Sequence, residues 1–220
     1  MIHIKICGLT TYGDALAAAE AGADLLGFNF YKKSPRYLKP EDAQTICDQL
    51  RAELGANCPL LVGLFVNEIV GNISAISNRV GLDAVQLSGD ESDALLKELR
   101  GMAYKAIRPA DKAQALDDVA YYRPQFPSSD RMPALLLDAH QPGLYGGTGV
   151  QADLEIALAV KAEVPRLMLA GGLTADNVAG VISAVQPWGV DVASGVEVQD
   201  SPGKKDVSRM RAFVQAARLS

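Results

Sequence analysis

Two side chains of this sequence are placed to move protons. Cys7 closes the apolar run IHIKIC and Asp138 closes PALLLD, each where a short extended segment gives out. A thiol followed by a glycine, here Gly8, leaves room for a ligand, and its thiolate form is a base. By strand alternation Cys7 shares a face with Lys5, a cation that would favour thiolate; a lone cysteine is equally well a small buried hydrophobe. Asp138 also has two readings: it caps the next turn, or it acts as an acid on a substrate.

Other candidates stand beside these. LAGGLTADNV and ASGVE place Gly171-Gly172 and Ser194-Gly195 after two late strands, where backbone N–H groups can cradle a phosphate. GGTG, Gly146 to Gly149, is a third glycine-rich loop, and each such loop alone is no more than a tight turn. Arg36, in KKSPRYL, carries a planar fork suited to a carboxylate, though a loop arginine is ordinarily solvent-exposed. Asp191 either pairs with Lys5 across neighbouring strands or belongs only to the turn motif that it shares with Asp24 and Asp83. Asn29, Asn67, Ser88 and Arg108 also stand at strand ends, His140 reads as a polar loop residue, and Cys47 and Cys58 as packing residues. Three cysteines without CxxC spacing and two distant histidines give neither a disulfide framework nor a metal site.

These residues need a scaffold that brings distant strand ends together. Eight β-rich runs (IHIKIC, DLLGFNF, PLLVGLFV, DAVQLS, MAYKAI, PALLLD, RLMLA, GVDVAS) alternate with helices expected to begin near Tyr12, Pro40, Glu68, Glu91, Asp111, Val150, Thr174 and Gly203. That alternation predicts an α/β fold: a single-domain (βα)8 TIM barrel over residues 1–220, eight parallel strands with outer helices, whose active face is the carboxyl ends of the strands. A repeated Gly-x-Asp, at Gly22, Gly81 and Gly189, marks helix-to-strand turns before strands 2, 4 and 8. PQFPSSDRMP reads as a surface connection before strand 6.

With 49% hydrophobic residues the chain can bury a sizeable core, and its formal charge of −5 provides no basic field for nucleic acid. It has no long apolar run for a membrane and no secretory leader plan, so a cytoplasmic protein is expected.

The order and spacing of KICGLT, GF with SPRYL, VGLFVN, VQL, LLDA with GGTG, LAGGLTADNV and GVDVASGVE with PGKKD resemble the phosphoribosylanthranilate isomerase family of tryptophan biosynthesis over nearly the whole chain. The resemblance implies an Amadori rearrangement of a small phosphorylated aminosugar without cofactor or metal. Cys7 would be the general base, Asp138 the general acid and Arg36 the partner of the anthranilate carboxylate. Gly171, Gly172, Ser194 and Gly195 would hold the phosphate, and Asp191 would touch substrate. Ser88 stands where the family has histidine, Val150-Gln151-Ala152 follow GGTG in place of basic or aromatic residues, and Ala193 replaces a frequent serine. The rivals are another sugar-phosphate isomerase or epimerase and a barrel that only binds a phosphorylated ligand; nothing specifies an oligomer.

Overall fold

Alternation in HIKIC sends Ile4 and Ile6 outward, toward the helices, and Lys5 and Cys7 inward. The same rule runs through eight strands: β1 His3–Cys7, β2 Leu25–Asn29, β3 Leu60–Phe65, β4 Ala84–Leu87, β5 Ala103–Ile107, β6 Leu135–Asp138, β7 Leu167–Ala170 and β8 Gly189–Val192. They pair in parallel, each with the next, and β8 returns to β1 to close the barrel. The computed structural model describes residues 1–138 and 149–219, the side chains of 149–153 excepted. His140 and the Gly146, Gly147 and Thr148 of GGTG therefore lie outside the described residues, as do the side chains of Val150, Gln151 and Ala152.

The helices are α1 Tyr12–Glu20, α2 Pro40–Leu54, α3 Val70–Val80, α4 Asp93–Glu98, α5 Lys112–Tyr122, α6 Gly149–Glu163, α7 Val178–Val185 and α8 Val207–Arg218. Thr11 and Asp111 cap α1 and α5 through their side chains, accepting from Asp14 N and Gln114 N. Helices α3, α4, α7 and α8 start later than the sequence pattern predicts. For α4 and α8 the reason is that residues expected in the first turn are engaged elsewhere: Glu91 accepts from the backbone N–H groups of Asn67 and Gly89, and Asp206 caps α8. Among the described residues no helix is long and apolar enough to cross a membrane.

Two apolar layers result. Ile4, Ile6, Leu26, Phe28, Leu135 and their neighbours form the sleeve between barrel and helices, whereas Leu25, Val62, Tyr104, Leu136 and Met168 fill the barrel itself. Met132, from the stretch read as a surface connection, is 5% exposed and packs with this inner group, Pro127 is buried and Phe126 packs against the sleeve, so only residues 128–131 form an unbroken exposed run in PQFPSSDRMP.

The Gly-x-Asp repeat is two motifs. Asp24 and Asp83 each sit one residue before a strand, and each accepts a backbone N–H of the preceding strand, from Ile4 and Leu61 at 2.8 Å. Asp191 instead lies inside β8, in register with Lys5. Of its two readings, the cross-strand one holds.

Candidate active site

Inward positions at the carboxyl ends of all eight strands meet in one pocket of about 260 Å³. Cys7, Asn29, Leu64, Gln86, Arg108, Asp138, Ala170 and Asp191 line it, each an inward position of a different strand or the residue just after one, joined by Arg36, Gly171, Gly172, Ser194 and Gly195 from the loops. The structure thus brings together every residue to which the resemblance gives a catalytic or binding role.

Cys7 is 5% exposed and stands opposite Gly27 of β2. A Cβ at Gly27 would come within 2.7 Å of the Cys7 Sγ, so the missing side chain is what lets the sulfur turn inward. Burial pushes the thiol above its ordinary range, against the opposing pull of Lys5 and Lys205. The expected drift toward thiolate is therefore reversed: loss of solvation outweighs the cations.

Beneath the thiol lies a buried polar layer. Lys5 Nζ donates to Asp191 Oδ2 and to Gln86 Oε1, both at 2.8 Å; Tyr104 OH donates to the same Gln86 oxygen at 2.9 Å. Burial works to neutralise Lys5, but Asp191, with Cys7 and Tyr104, outweighs it and raises the ammonium's pKa. Asp191 Oδ1 is buried with no hydrogen-bond partner among the described residues, and its residue lines the pocket.

Asp138 closes β6 with its side chain 19% exposed, paired to Arg108 by a 2.8 Å bond from Nε. Arg108 Nη1 also reaches the Ser88 carbonyl at 3.1 Å. Ser88 has its hydroxyl 3.1 Å from Gln86 Nε2 and accepts that amide's hydrogen.

Arg36 is not a solvated loop arginine. Its Nε and Nη2 grip the two oxygens of Glu197, each at 2.7 Å, and a Cβ at Gly8 would run into its Cδ. Asn29 holds the loop, bonding Ser34 Oγ at 3.1 Å, which in turn accepts from Arg36 N. Glu197 also accepts from Lys205 Nζ at 3.0 Å. Burial would raise the Glu197 carboxyl, but its bonds to Arg36 and Lys205 hold it below its usual value.

On the far side, Gly171 and Gly172 take φ of +97° and +61°, the left-handed region that lets the loop fold back. Asn177 braces it, donating to Gly172 O and accepting from Thr174 N. Ser194–Val196 forms a 3-10 turn, and a Cβ at Gly195 would strike the Leu173 carbonyl, so the two loops touch there. Ser194 is exposed at the rim.

Sequence reasoning assigned no role to Glu197, Lys205, Gln86 or Arg108, although GVDVASGVE, PGKKD and VQL carry three of them. Their only sequence signal is a charged or amide residue in or beside an apolar run.

The family model described as N-(5'phosphoribosyl)anthranilate (PRA) isomerase matches residues 4–216. An N-(5'-phosphoribosyl)anthranilate isomerase of Trichlorobacter lovleyi is 44% identical over 218 residues, covering 99% of this chain and 98% of the relative. The crystal structure of phosphoribosyl anthranilate isomerase from Thermotoga maritima superposes with a TM-score of 0.84 at 36% identity, covering 100% of both chains. A second crystal structure of such an enzyme, in complex with reduced 1-(o-carboxyphenylamino)-1-deoxyribulose 5-phosphate, gives 0.82 at 34% identity, again over 100% of both chains.

Proposed function

The chain belongs to the N-(5'-phosphoribosyl)anthranilate isomerase family of tryptophan biosynthesis, and we propose that it performs that isomerisation with Cys7 as general base and Asp138 as general acid. One observation carries this assignment of roles: a thiol and a carboxyl from β1 and β6 line one pocket, together with a fixed guanidinium and two glycine-rich loops.

The chemistry needs both groups. Asp138 gives its proton to the ribose ring oxygen, the C1–O bond breaks, and the anthranilate nitrogen takes up the positive charge as an iminium. That iminium acidifies the C2 hydrogen, which the Cys7 thiolate removes, and the electron pair moves to form an enolamine. The enolamine then tautomerises to the ketone, C1 taking up a proton as the C2 hydroxyl loses one, and exchange with solvent restores the proton to Asp138 and removes the one on Cys7. A cation developing beside a buried sulfur favours thiolate at the step that requires it, offsetting the burial that holds the thiol protonated.

Arg36 takes the anthranilate carboxylate and the Gly171-Gly172 and Ser194-Gly195 loops take the phosphate, so the small phosphorylated aminosugar is held at both ends with its reacting carbons in between. Held ends convert binding into orientation, worth several powers of ten when geometry is close. Asp191 Oδ1, an acceptor without a partner among the described residues, suits a sugar hydroxyl. A cytoplasmic location belongs to the same proposal, since the base must stay a reduced thiol and the described cysteines are free.

The test is rescue of a tryptophan auxotroph that lacks this isomerase, with purified-enzyme turnover alongside. Wild type should rescue; Cys7→Ala and Asp138→Asn should fold normally and lose about 10²-fold or more in kcat. Full turnover by either folded variant would remove that residue from its role.

A further inference from the structure

Arg36 is one corner of a larger assembly whose other members have no role in the scheme above. Glu197 accepts four hydrogen bonds: Arg36 Nε and Nη2 at 2.7 Å, Lys205 Nζ at 3.0 Å and Gly203 N at 3.1 Å. Its residue is 5% exposed and Lys205 is 4% exposed, whereas the Arg36 side chain keeps 23% of its surface. Backbone bonds fix the pair. Val198 N donates to Lys204 O and Asp206 N to Val196 O, so Glu197 and Lys205 face each other across a short antiparallel bridge.

Glu197 engages only the Nε edge of the guanidinium. An arginine has five N–H donors in a rigid fork, so Nη1 and the second hydrogen of Nη2 remain on the edge away from Glu197. Arg36 lines the pocket of about 260 Å³, so its side chain borders space that a ligand can enter. Charge matters as much as direction. Arg36 with Glu197 alone would be neutral, and a neutral pair offers little attraction to an anion; Lys205, whose Nζ also bonds the Ala193 carbonyl at 2.9 Å, leaves the trio with a net positive charge.

We propose that Glu197 and Lys205 make Arg36 a preset carboxylate receptor, Glu197 aligning the guanidinium and Lys205 keeping the cluster cationic. Glu197 is a positioning residue here, acting through Arg36 and touching no substrate. A free arginine loses side-chain entropy when it binds; one already locked by two short bonds has lost it during folding. This inference rests on the proposed function's assignment of Arg36 to the carboxylate.

The test uses two probes on the purified enzyme: reduced 1-(o-carboxyphenylamino)-1-deoxyribulose 5-phosphate and the same compound without its carboxylate. Alignment and bare charge predict opposite signs for Glu197→Gln. That variant adds a net positive charge, so if charge alone mattered the carboxylate probe would bind tighter. If alignment matters, it binds about tenfold weaker while the des-carboxy probe is unchanged, and KM rises more than kcat falls. Should Glu197→Gln fail to fold, Glu197→Asp keeps the charge but shortens the reach, and the same selective weakening is expected. Equal weakening of both probes, or tighter binding of the carboxylate probe, overturns the inference. Arg36→Met separates the two levels. If it abolishes the preference for the carboxylate probe but the Glu197 variants do not weaken it, only the inference fails. If Arg36→Met leaves the preference intact, the assignment of Arg36 fails and the receptor with it.

Discussion

Arg108 Nε donates to Asp138 Oδ2 over 2.8 Å while its Nη1 reaches the Ser88 carbonyl at 3.1 Å, so one guanidinium ties together the carboxyl ends of β4, β5 and β6. The proposed acid is thus oriented by a neighbour that is itself anchored to backbone.

Arg108→Ala should therefore leave the acid in place but loosely aimed. We expect kcat to fall by about tenfold, well short of the loss from Asp138→Asn, because misorientation costs less than removing the proton carrier. Steady-state kinetics of the two variants side by side decide it; equal losses would mean that Arg108 does more than orient.

Burial holds the Cys7 thiol above its ordinary range, and a base must lose its proton before it can accept another. Alkylation by iodoacetamide needs the thiolate alone, so the rate at which it inactivates the free enzyme should rise with pH and inflect above the ordinary thiol value of about 8.5. Cys7→Ser should lose most of the activity, and what remains should resist the reagent. An inactivation rate that does not rise between about pH 7 and 10 would count against the thiol.

Lys5 and Asp191 are 0% and 7% exposed and meet at 2.8 Å. Asp191→Ala leaves a buried ammonium without its carboxylate, which should cost about 3–5 kcal/mol in urea unfolding. The double variant Lys5→Met/Asp191→Leu removes both charges and should recover much of that loss. If the double variant is as unstable as the sum of its parts, the two residues are not coupled.

A methyl at Gly195 would collide with the Leu173 carbonyl and push apart the two loops assigned to the phosphate. Gly195→Ala should raise KM and weaken competitive inhibition by inorganic phosphate, each by about tenfold or more. Gly180→Ala is the control: it lies in α7 with open space around its missing Cβ, so activity should hold and stability rise by about 0.5–1 kcal/mol.

The barrel was legible because its signal is local and repeated. Eight runs with alternating helices suffice to predict the closed sheet, and strand alternation alone puts Cys7 on the same face as Lys5; the closed barrel shows that face to be the inner one. Helix starts were less legible: Glu91, read as the opening of a helix, is a buried acceptor for two backbone N–H groups, Gly89 in the preceding turn and Asn67 in the loop after β3.

The sequence by itself determined which residues stand at the carboxyl ends of the strands, since a period of two and a count of strands need no knowledge of contacts. Only the tertiary structure decided their partners and their protonation. Arg36 and Glu197 are 161 residues apart and Lys5 and Asp191 186 apart, and such pairs exist only once the barrel has closed. The Cys7 thiol illustrates the physical reason: neighbouring cations and loss of solvation pull in opposite directions, and which prevails depends on how deeply packing removes water from the sulfur.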